Sequence, residues 1–348
     1  MSIVTILVII TIVLVVVFDF TNGFHDASNI IATVIASRAM SPAKSVIIVA
    51  FFHFIGPLIG GTAVANTIGH FVSIGDLQNI HSVSIILSGL IAVIIWNIGT
   101  WWLGMPSSSS HALMGAMVGV VMASVGSNHV VWGYKEWMHD NQISGVLKVL
   151  IGLMISPLLG FAIGYIIQKL VSLKMRSAKR NVNKNFKTAQ YFTVAALSFS
   201  HGANDAQKSM GVLTLVLLLG GFIPAFIVPY WVILICASAM TLGVLLGGWK
   251  IVRTLGFSIF KIRPIHALNS QLTSALVIFG ASFLGAPVST THVVTSSIMG
   301  VGAADKIKRV KWSKAQSILY TWIFTIPGAA MLAVFIYSLM HLFIPELK

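Results

Sequence analysis

The sequence predicts an all-α, polytopic membrane protein built from two inverted-topology repeats with broken or re-entrant helices. Three observations lead there. The 348 residues are 57% hydrophobic and only 9% charged, with a mean hydropathy of +0.93, whereas a water-soluble domain carries about 25% charged residues to wet its surface. Two unrelated polar motifs each occur twice at nearly the same separation. Lysine and arginine gather in some inter-helix loops and avoid others, as they do in membrane proteins of fixed orientation.

A helix needs about 20 apolar residues to cross the bilayer core. Runs of that kind occupy 3–20, 45–68, 83–102 and 146–170, and then 189–219, 223–249, 267–284 and 318–343. Shorter Gly-containing apolar segments follow Ser110 and Thr291. No Lys or Arg precedes the first run and no small-residue cleavage site follows it, so it reads as a membrane helix and not a signal peptide. The single cysteine, Cys236, lies in an apolar run, so no intrachain disulfide framework is expected. The chain has 22 Lys+Arg against 8 Asp+Glu. The basic residues sit at the ends of apolar runs without the interleaved aromatics that stack bases. The expected partner is therefore the lipid bilayer of the cell (inner) membrane, with no nucleic acid. A homo-oligomer is compatible with the sequence.

The repeat appears in the polar motifs. Phe20-Thr-Asn-Gly-Phe-His-Asp26-Ala27 matches Phe199-Ser-His-Gly-Ala-Asn-Asp205-Ala206, and Gly104-Met-Pro106-Ser-Ser-Ser-Ser-His111 matches Gly285-Ala-Pro287-Val-Ser-Thr-Thr-His292. From Asp26 to His111 is 85 residues, and from Asp205 to His292 is 87. Residues 1–168 then form a first membrane repeat, 169–188 a basic cytoplasmic linker and 189–348 a second repeat. Basic residues mark the loops at 37–44, 169–187, 250–263 and 306–314, and are missing from 66–82 and 220–229. Reading basic loops as cytoplasmic, the first half starts outside and ends inside while the second does the reverse. That is an inverted repeat of the kind common in secondary transporters. The loop 125–148, where Lys135 and Lys148 are offset by Glu136 and Asp140, is assigned to the outside.

Asp76, Glu136, Asp140, Asp305 and Glu346 fall in loops or at the terminus, but Asp19, Asp26 and Asp205 fall inside apolar segments. A carboxylate in the bilayer costs at least about 2.5–3.5 kcal/mol on insertion scales, so its default meaning is a pathway or a site. Asp26 and Asp205 repeat; Asp19 aligns with Ser198 and fits local capping or an interfacial position. Gly23 and Gly202, beside Asn22 and His201, suggest unwound helix whose carbonyls join Asp26, Asp205, Asn22, Asn29 and Asn204 in coordinating a hard cation such as Na⁺. Tight helix packing at these glycines is the plainer alternative. The pair His201/Asp205 also has transition-metal spacing, although the aligned Asn22/Asp26 lacks the imidazole. Ser107, Ser108, Ser109 and Ser110 after Pro106, and Ser289, Thr290 and Thr291 after Pro287, are hydroxyl rows at helix starts. Such starts offer free N–H groups and a positive dipole end to an anion, and two of them can grip one tetrahedral oxyanion; capping without a ligand is the alternative. Gln207 and Lys208 extend the second Asp motif and join the hydroxyl rows as expected ligands of the anion. Lys208, aligned with Asn29, complements an anion or snorkels to an interface.

These motifs carry a resemblance. The chain is similar to the inorganic phosphate transporter (PiT) family of sodium- or proton-coupled symporters. His201-Gly202-Ala203-Asn204-Asp205-Ala206 fits that family's Gly-Ala-Asn-Asp signature closely; Asn22-Gly23-Phe24-His25-Asp26-Ala27 is a looser copy. The resemblance implies roughly a dozen membrane helices with re-entrant elements, essential roles at Asp26 and Asp205, and phosphate as substrate. The expected function is import of inorganic phosphate by cation symport through alternating access, with Na⁺ as coupling ion, no covalent cofactor and no catalysis. Proton coupling and sulfate as substrate stay open. An anion channel or a membrane enzyme using His25/Asp26 as an acid–base pair are the rivals from other classes. The orientation is testable: in a Cys236→Ala background, Ser177→Cys in the basic linker is expected to be labelled by an impermeant thiol reagent from the cytoplasmic side only. Labelling from outside would reverse the topology.

Overall fold

A computed structural model describes residues 2–75, 77, 79–179, 181–247 and 249–343; the placements given above for Asp76 and Glu346 lie outside the described residues. Thirteen α-helices appear among the described residues. They are α1 (Ile3–Ser37), α2 (Pro42–Ile59), α3 (Ala63–Gly69), α4 (Asn79–Trp102), α5 (Ser109–Ser124), α6 (Tyr134–Asp140), α7 (Gly145–Lys174), α8 (Val182–Leu219), α9 (Tyr230–Leu246), α10 (Trp249–Arg253), α11 (Pro264–Phe283), α12 (Thr290–Lys306) and α13 (Trp312–Phe343). By length and apolarity α1, α2, α4, α7 and the Ala315–Phe343 part of α13 can each cross a membrane. Large apolar side chains face outward, such as Phe192, 77% exposed, and Phe283, 81% exposed. Water would penalise such a surface and lipid does not. The chain is an all-α, multi-pass membrane protein.

Local sequence sets the helix ends. Ser2 and Ser41 cap α1 and α2 by accepting the N–H of Thr5 and Lys44, and Pro42 opens α2. Gly104 (φ 68°) follows the end of α4, and Gly285 (φ 64°) follows the end of α11, a left-handed conformation that glycine adopts without steric cost. Each is followed by a proline and then by hydroxyl residues that restart a helix. The repeated Gly-x-Pro-Ser/Thr motif is thus a stop-and-restart signal, and it produces the breaks between α4 and α5 and between α11 and α12.

At the other motif the helices do not break. α1 runs for 35 residues and α8 for 38, straight through Gly23 and Gly202, so the unwinding expected there is absent. The glycines serve close approach. A Cβ on Gly23 would stand 2.0 Å from the Met240 carbonyl oxygen of α9, and one on Gly202 would stand 2.2 Å from the His53 carbonyl oxygen of α2. The contacts are reciprocal, since Gly243 of α9 meets the Phe20 carbonyl and Gly56 of α2 meets that of Phe199. Small residues let helix backbones touch where lipid provides no hydrophobic drive for association.

The long-range packing crosses the midpoint of the chain. α1 packs on α9 and α8 on α2; α5 packs on α13 and α12 on α7. Every motif-bearing helix is therefore held by a helix from the other half of the sequence, and exchanging α1 with α8, α2 with α9, α5 with α12 and α13 with α7 maps these pairs onto each other. Much of 169–188 is itself helical, because α7 continues to Lys174 and α8 begins at Val182.

The glycine contacts give a stability test. Gly23→Ala and Gly202→Ala insert a methyl against backbone that has no flexible end to move aside, and each is expected to destabilise the protein by about 1–3 kcal/mol, read as a lower melting temperature in detergent. Gly99→Ala, where nothing lies within 4 Å, is expected to be neutral.

Candidate functional site

The two Asp motifs and the two hydroxyl rows converge inside the protein. Asp26 and Asp205 are 1% and 0% exposed, on α1 and α8, which pack together. Ligand atoms of Asp26, Asp205 and His201 all lie within 4.8 Å of one another. Between the two carboxylates sits the start of α12: the Thr291 hydroxyl donates to Asp26 Oδ1 at 3.0 Å and the Thr290 hydroxyl donates to Asp205 Oδ2 at 2.8 Å. The start of α5 abuts it. The Ser110 hydroxyl donates to the Val288 carbonyl at 2.9 Å, and the His111 and His292 rings stand 4.5 Å apart between centroids.

Around Asp26, Asn29 Nδ2 donates to Asp26 Oδ1 and to Thr291 Oγ1, both at 2.9 Å. His25 Nδ1 lies 3.1 Å from Asp26 Oδ1. Its Nε2 lies 3.4 Å from the Ser107 hydroxyl, which is bonded in turn to Thr100 at 2.7 Å. Three buried oxygens in this group meet no protein hydrogen-bond partner: Asp26 Oδ2, Asn29 Oδ1 and Asn22 Oδ1. Buried polar groups without partners are costly; Asn22 Nδ2 is a fourth such atom, and free carboxylate and amide oxygens are the ligand types a hard cation takes.

Around Asp205 the acceptors are filled. Lys208, 1% exposed, forms an ion pair with Asp205 Oδ1 and also donates to Ser110 Oγ at 2.5 Å and to the Val288 carbonyl at 3.0 Å. Asp205 Oδ2 takes the Thr290 hydroxyl and lies 3.2 Å from His201 Nδ1. His53, a residue the sequence reading passed over, brings Nε2 to 3.3 Å from His201 Nδ1. A buried histidine inside the apolar run 45–68 was the available signal. Asp19 is also buried and accepts from the Ser209 hydroxyl of α8, so it ties α1 to α8 and does not cap its own helix.

Several expected site residues have structural employment. Ser108 and Ser289 are N-caps, each accepting the N–H three residues on, from His111 and His292 respectively, at 3.2 Å. Asn204 braces the turn before α12: its Nδ2 donates to Ser282 Oγ at 2.9 Å and its Oδ1 accepts from Val288 N–H at 3.4 Å. Gln207 Oε1 accepts the N–H groups of Val64 and Ala65, filling the capping role for α3 that Thr62 leaves open, while its Nε2 donates to the Ala203 and Gly60 carbonyls. Both ends of its amide are met by backbone groups. Ser109 is 5% exposed at the first position of α5. The site therefore contains a carboxylate with free oxygen neighbours, a carboxylate paired with a lysine, and two abutting helix starts whose first-turn N–H groups lack intrahelical acceptors.

A model of the phosphate transporter family matches residues 22–180 and 171–333. A probable low-affinity inorganic phosphate transporter of Bacillus subtilis (strain 168) is 40% identical over 98% of this chain and 99% of its own length. One of Rhizobium meliloti (strain 1021) is 39% identical over 92% of each. Among solved structures, one titled the sodium-dependent phosphate transporter superposes with a TM-score of 0.85 at 24% identity, covering 97% of this chain and 99% of that one; this likeness establishes the fold.

The caps can be separated from the site by stability. Ser108→Ala and Ser289→Ala are each expected to lower the unfolding free energy by about 0.5–2 kcal/mol, measured by thermal unfolding in detergent. No change in either would free those hydroxyls from the capping role.

Proposed function

The chain belongs to the phosphate transporter family, and from that premise we propose that it imports inorganic phosphate across the cell membrane together with sodium ions, by alternating access. The observation that carries the reading is the meeting of two helix starts and two buried carboxylates in one place. Helix starts favour an anion; carboxylates repel it. A site with both features holds phosphate well only when cations accompany it, and that is how a symporter couples two gradients.

In this reading the phosphate lies at the starts of α5 and α12. Ser107, Ser109, Ser110, Thr290 and Thr291 offer hydroxyls, the first-turn amides add N–H donors, and Ser108 and Ser289 hold those turns in shape. The coupling cation lies at Asp26 with Asn22 and Asn29. Na⁺ suits these neutral oxygens better than a proton does, since protonating a carboxylate needs no such ligands. The name of the structurally similar protein, a sodium-dependent phosphate transporter, points the same way. With Asp26 ionised, HPO₄²⁻ beside it leaves a charge that a low-dielectric interior cannot hold uncompensated, so transport requires more than one cation per HPO₄²⁻ or a monovalent phosphate with fewer. The halves 1–168 and 189–348, as inverted repeats joined by the basic segment 169–188, supply two related conformations for the inward and outward states.

The test is uptake of labelled phosphate into proteoliposomes with Na⁺ and pH gradients imposed separately. Uptake is expected to follow an inward Na⁺ gradient at symmetric pH, and Asp26→Asn is expected to lower it about tenfold or more, as loss of a charged partner worth about 1.5–3 kcal/mol implies. Uptake driven by the pH gradient alone would reassign the coupling ion to H⁺. An absence of phosphate uptake under either gradient would sink the reading.

A further inference from the structure

Asn29 and Lys208 occupy equivalent places, each three residues beyond the aspartate of its motif. Their contacts correspond as well. Asn29 reaches Asp26 and Thr291 on the α12 row; Lys208 reaches Asp205 and Ser110 on the α5 row, and Ser110 and Thr291 are themselves equivalent in the repeated motif. The two halves thus build a similar frame around each aspartate, and at the position three residues beyond it the first carries an amide and the second an ammonium; Asn22 and His25 also stand where the second half has His201 and Asn204.

The surroundings of the ammonium are those of a small cation. Its nitrogen lies within hydrogen-bond reach of a carboxylate oxygen, a hydroxyl oxygen and a backbone carbonyl oxygen, the oxygen types that also ligate hard cations. The acceptors around the two aspartates differ as well, Asp205 Oδ1 being taken by Lys208 and Oδ2 by Thr290 and His201. By contrast, Asp26 Oδ2, Asn29 Oδ1 and Asn22 Oδ1 meet no partner. We propose that the Lys208 ammonium is a tethered cation, holding the place at Asp205 that a mobile coupling ion would take, so that of the two repeated aspartates only Asp26 presents a carboxylate for exchangeable sodium. This rests on the reading of the protein as a cation-coupled phosphate carrier. It makes Lys208 a residue that sets the coupling stoichiometry; the phosphate ligand inferred from sequence position becomes the competing assignment. Because the lysine cannot leave, the second site stays neutral through the whole cycle, and one fewer ion crosses per phosphate than in a protein with two mobile sites.

Labelled sodium and labelled phosphate uptake, counted together in proteoliposomes at saturating phosphate, give the ratio that tests this. Lys208→Asn installs at the second site the residue type found at Asn29, and is expected to raise the ratio by one Na⁺ per phosphate. Asp205→Asn with Lys208→Asn removes the pair as a unit, and is expected to keep the wild-type ratio. If Lys208 instead holds phosphate while Asp205 binds a mobile ion, Lys208→Asn raises the phosphate half-saturation without changing the ratio, and the double variant loses one Na⁺; either result overturns the proposal. Where Lys208→Asn folds but does not transport, thermal stabilisation of the purified protein by NaCl against N-methylglucamine chloride decides: a larger sodium-dependent shift than wild type supports the tethered cation, and an unchanged shift overturns it. Where that variant does not fold, the ratio in the double variant decides alone. Wild-type phosphate uptake in the same vesicles separates failure of this proposal from failure of the functional reading, since the sodium-binding comparison does not depend on transport.

Discussion

Burial of two carboxylates, within reach of each other in a protein whose outer face is apolar, is the constraint from which the rest of the architecture follows. Neither Asp26 nor Asp205 can be left without partners at such depth. The chain answers by placing the first turn of α12 between them, so that Thr290 bonds one and Thr291 the other. That placement requires α12 to begin where it does. The start is fixed by Gly285, which ends α11, by Pro287 and by the Ser289 cap. It also requires α1 and α8 to lie side by side, which the Gly23 and Gly202 contacts allow by drawing α9 and α2 in close behind them.

The packing order serves the same end. Because each motif helix is held by helices from the opposite half of the sequence, a displacement of one half moves the supports of the other half's site residues. A site assembled in this way is sensitive to the relative position of the halves. The Asp19 contact with Ser209 and the Gln207 cap on α3 add polar links between segments distant in sequence. Such links matter more in a membrane interior, where helix association gains little from water exclusion.

Much of this was legible in the sequence. Composition alone separates lipid from water as the solvent. The doubled motifs identified Asp26, Asp205 and the hydroxyl rows as belonging together, and the structure brings them to one place. The Gly-x-Pro-Ser/Thr motif announced helix breaks that occur there. What misled was local context without neighbours. A glycine beside polar groups is equally consistent with unwinding and with close packing, and only Met240 and His53 at 2.0 and 2.2 Å decide for packing. Gln207 and Asn204 lie in the signature, yet helical spacing says which face a residue occupies and not what meets that face; here backbone N–H and carbonyl groups meet it. His53 has no repeated counterpart, so nothing in the sequence ties it to the doubled motifs.

The account turns on an asymmetry between equivalent carboxylates: Asp26 with free oxygen neighbours and Asp205 satisfied by protein groups. The most direct measurement is a pair of experimental structures of the purified protein with phosphate, one in NaCl and one in N-methylglucamine chloride. The difference map is expected to show sodium density bounded by Asp26 Oδ2, Asn22 Oδ1 and Asn29 Oδ1 at Na⁺–oxygen distances, with none between Asp205 and Ser110. Sodium density at Asp205 with Lys208 displaced, or none at Asp26, would contradict it.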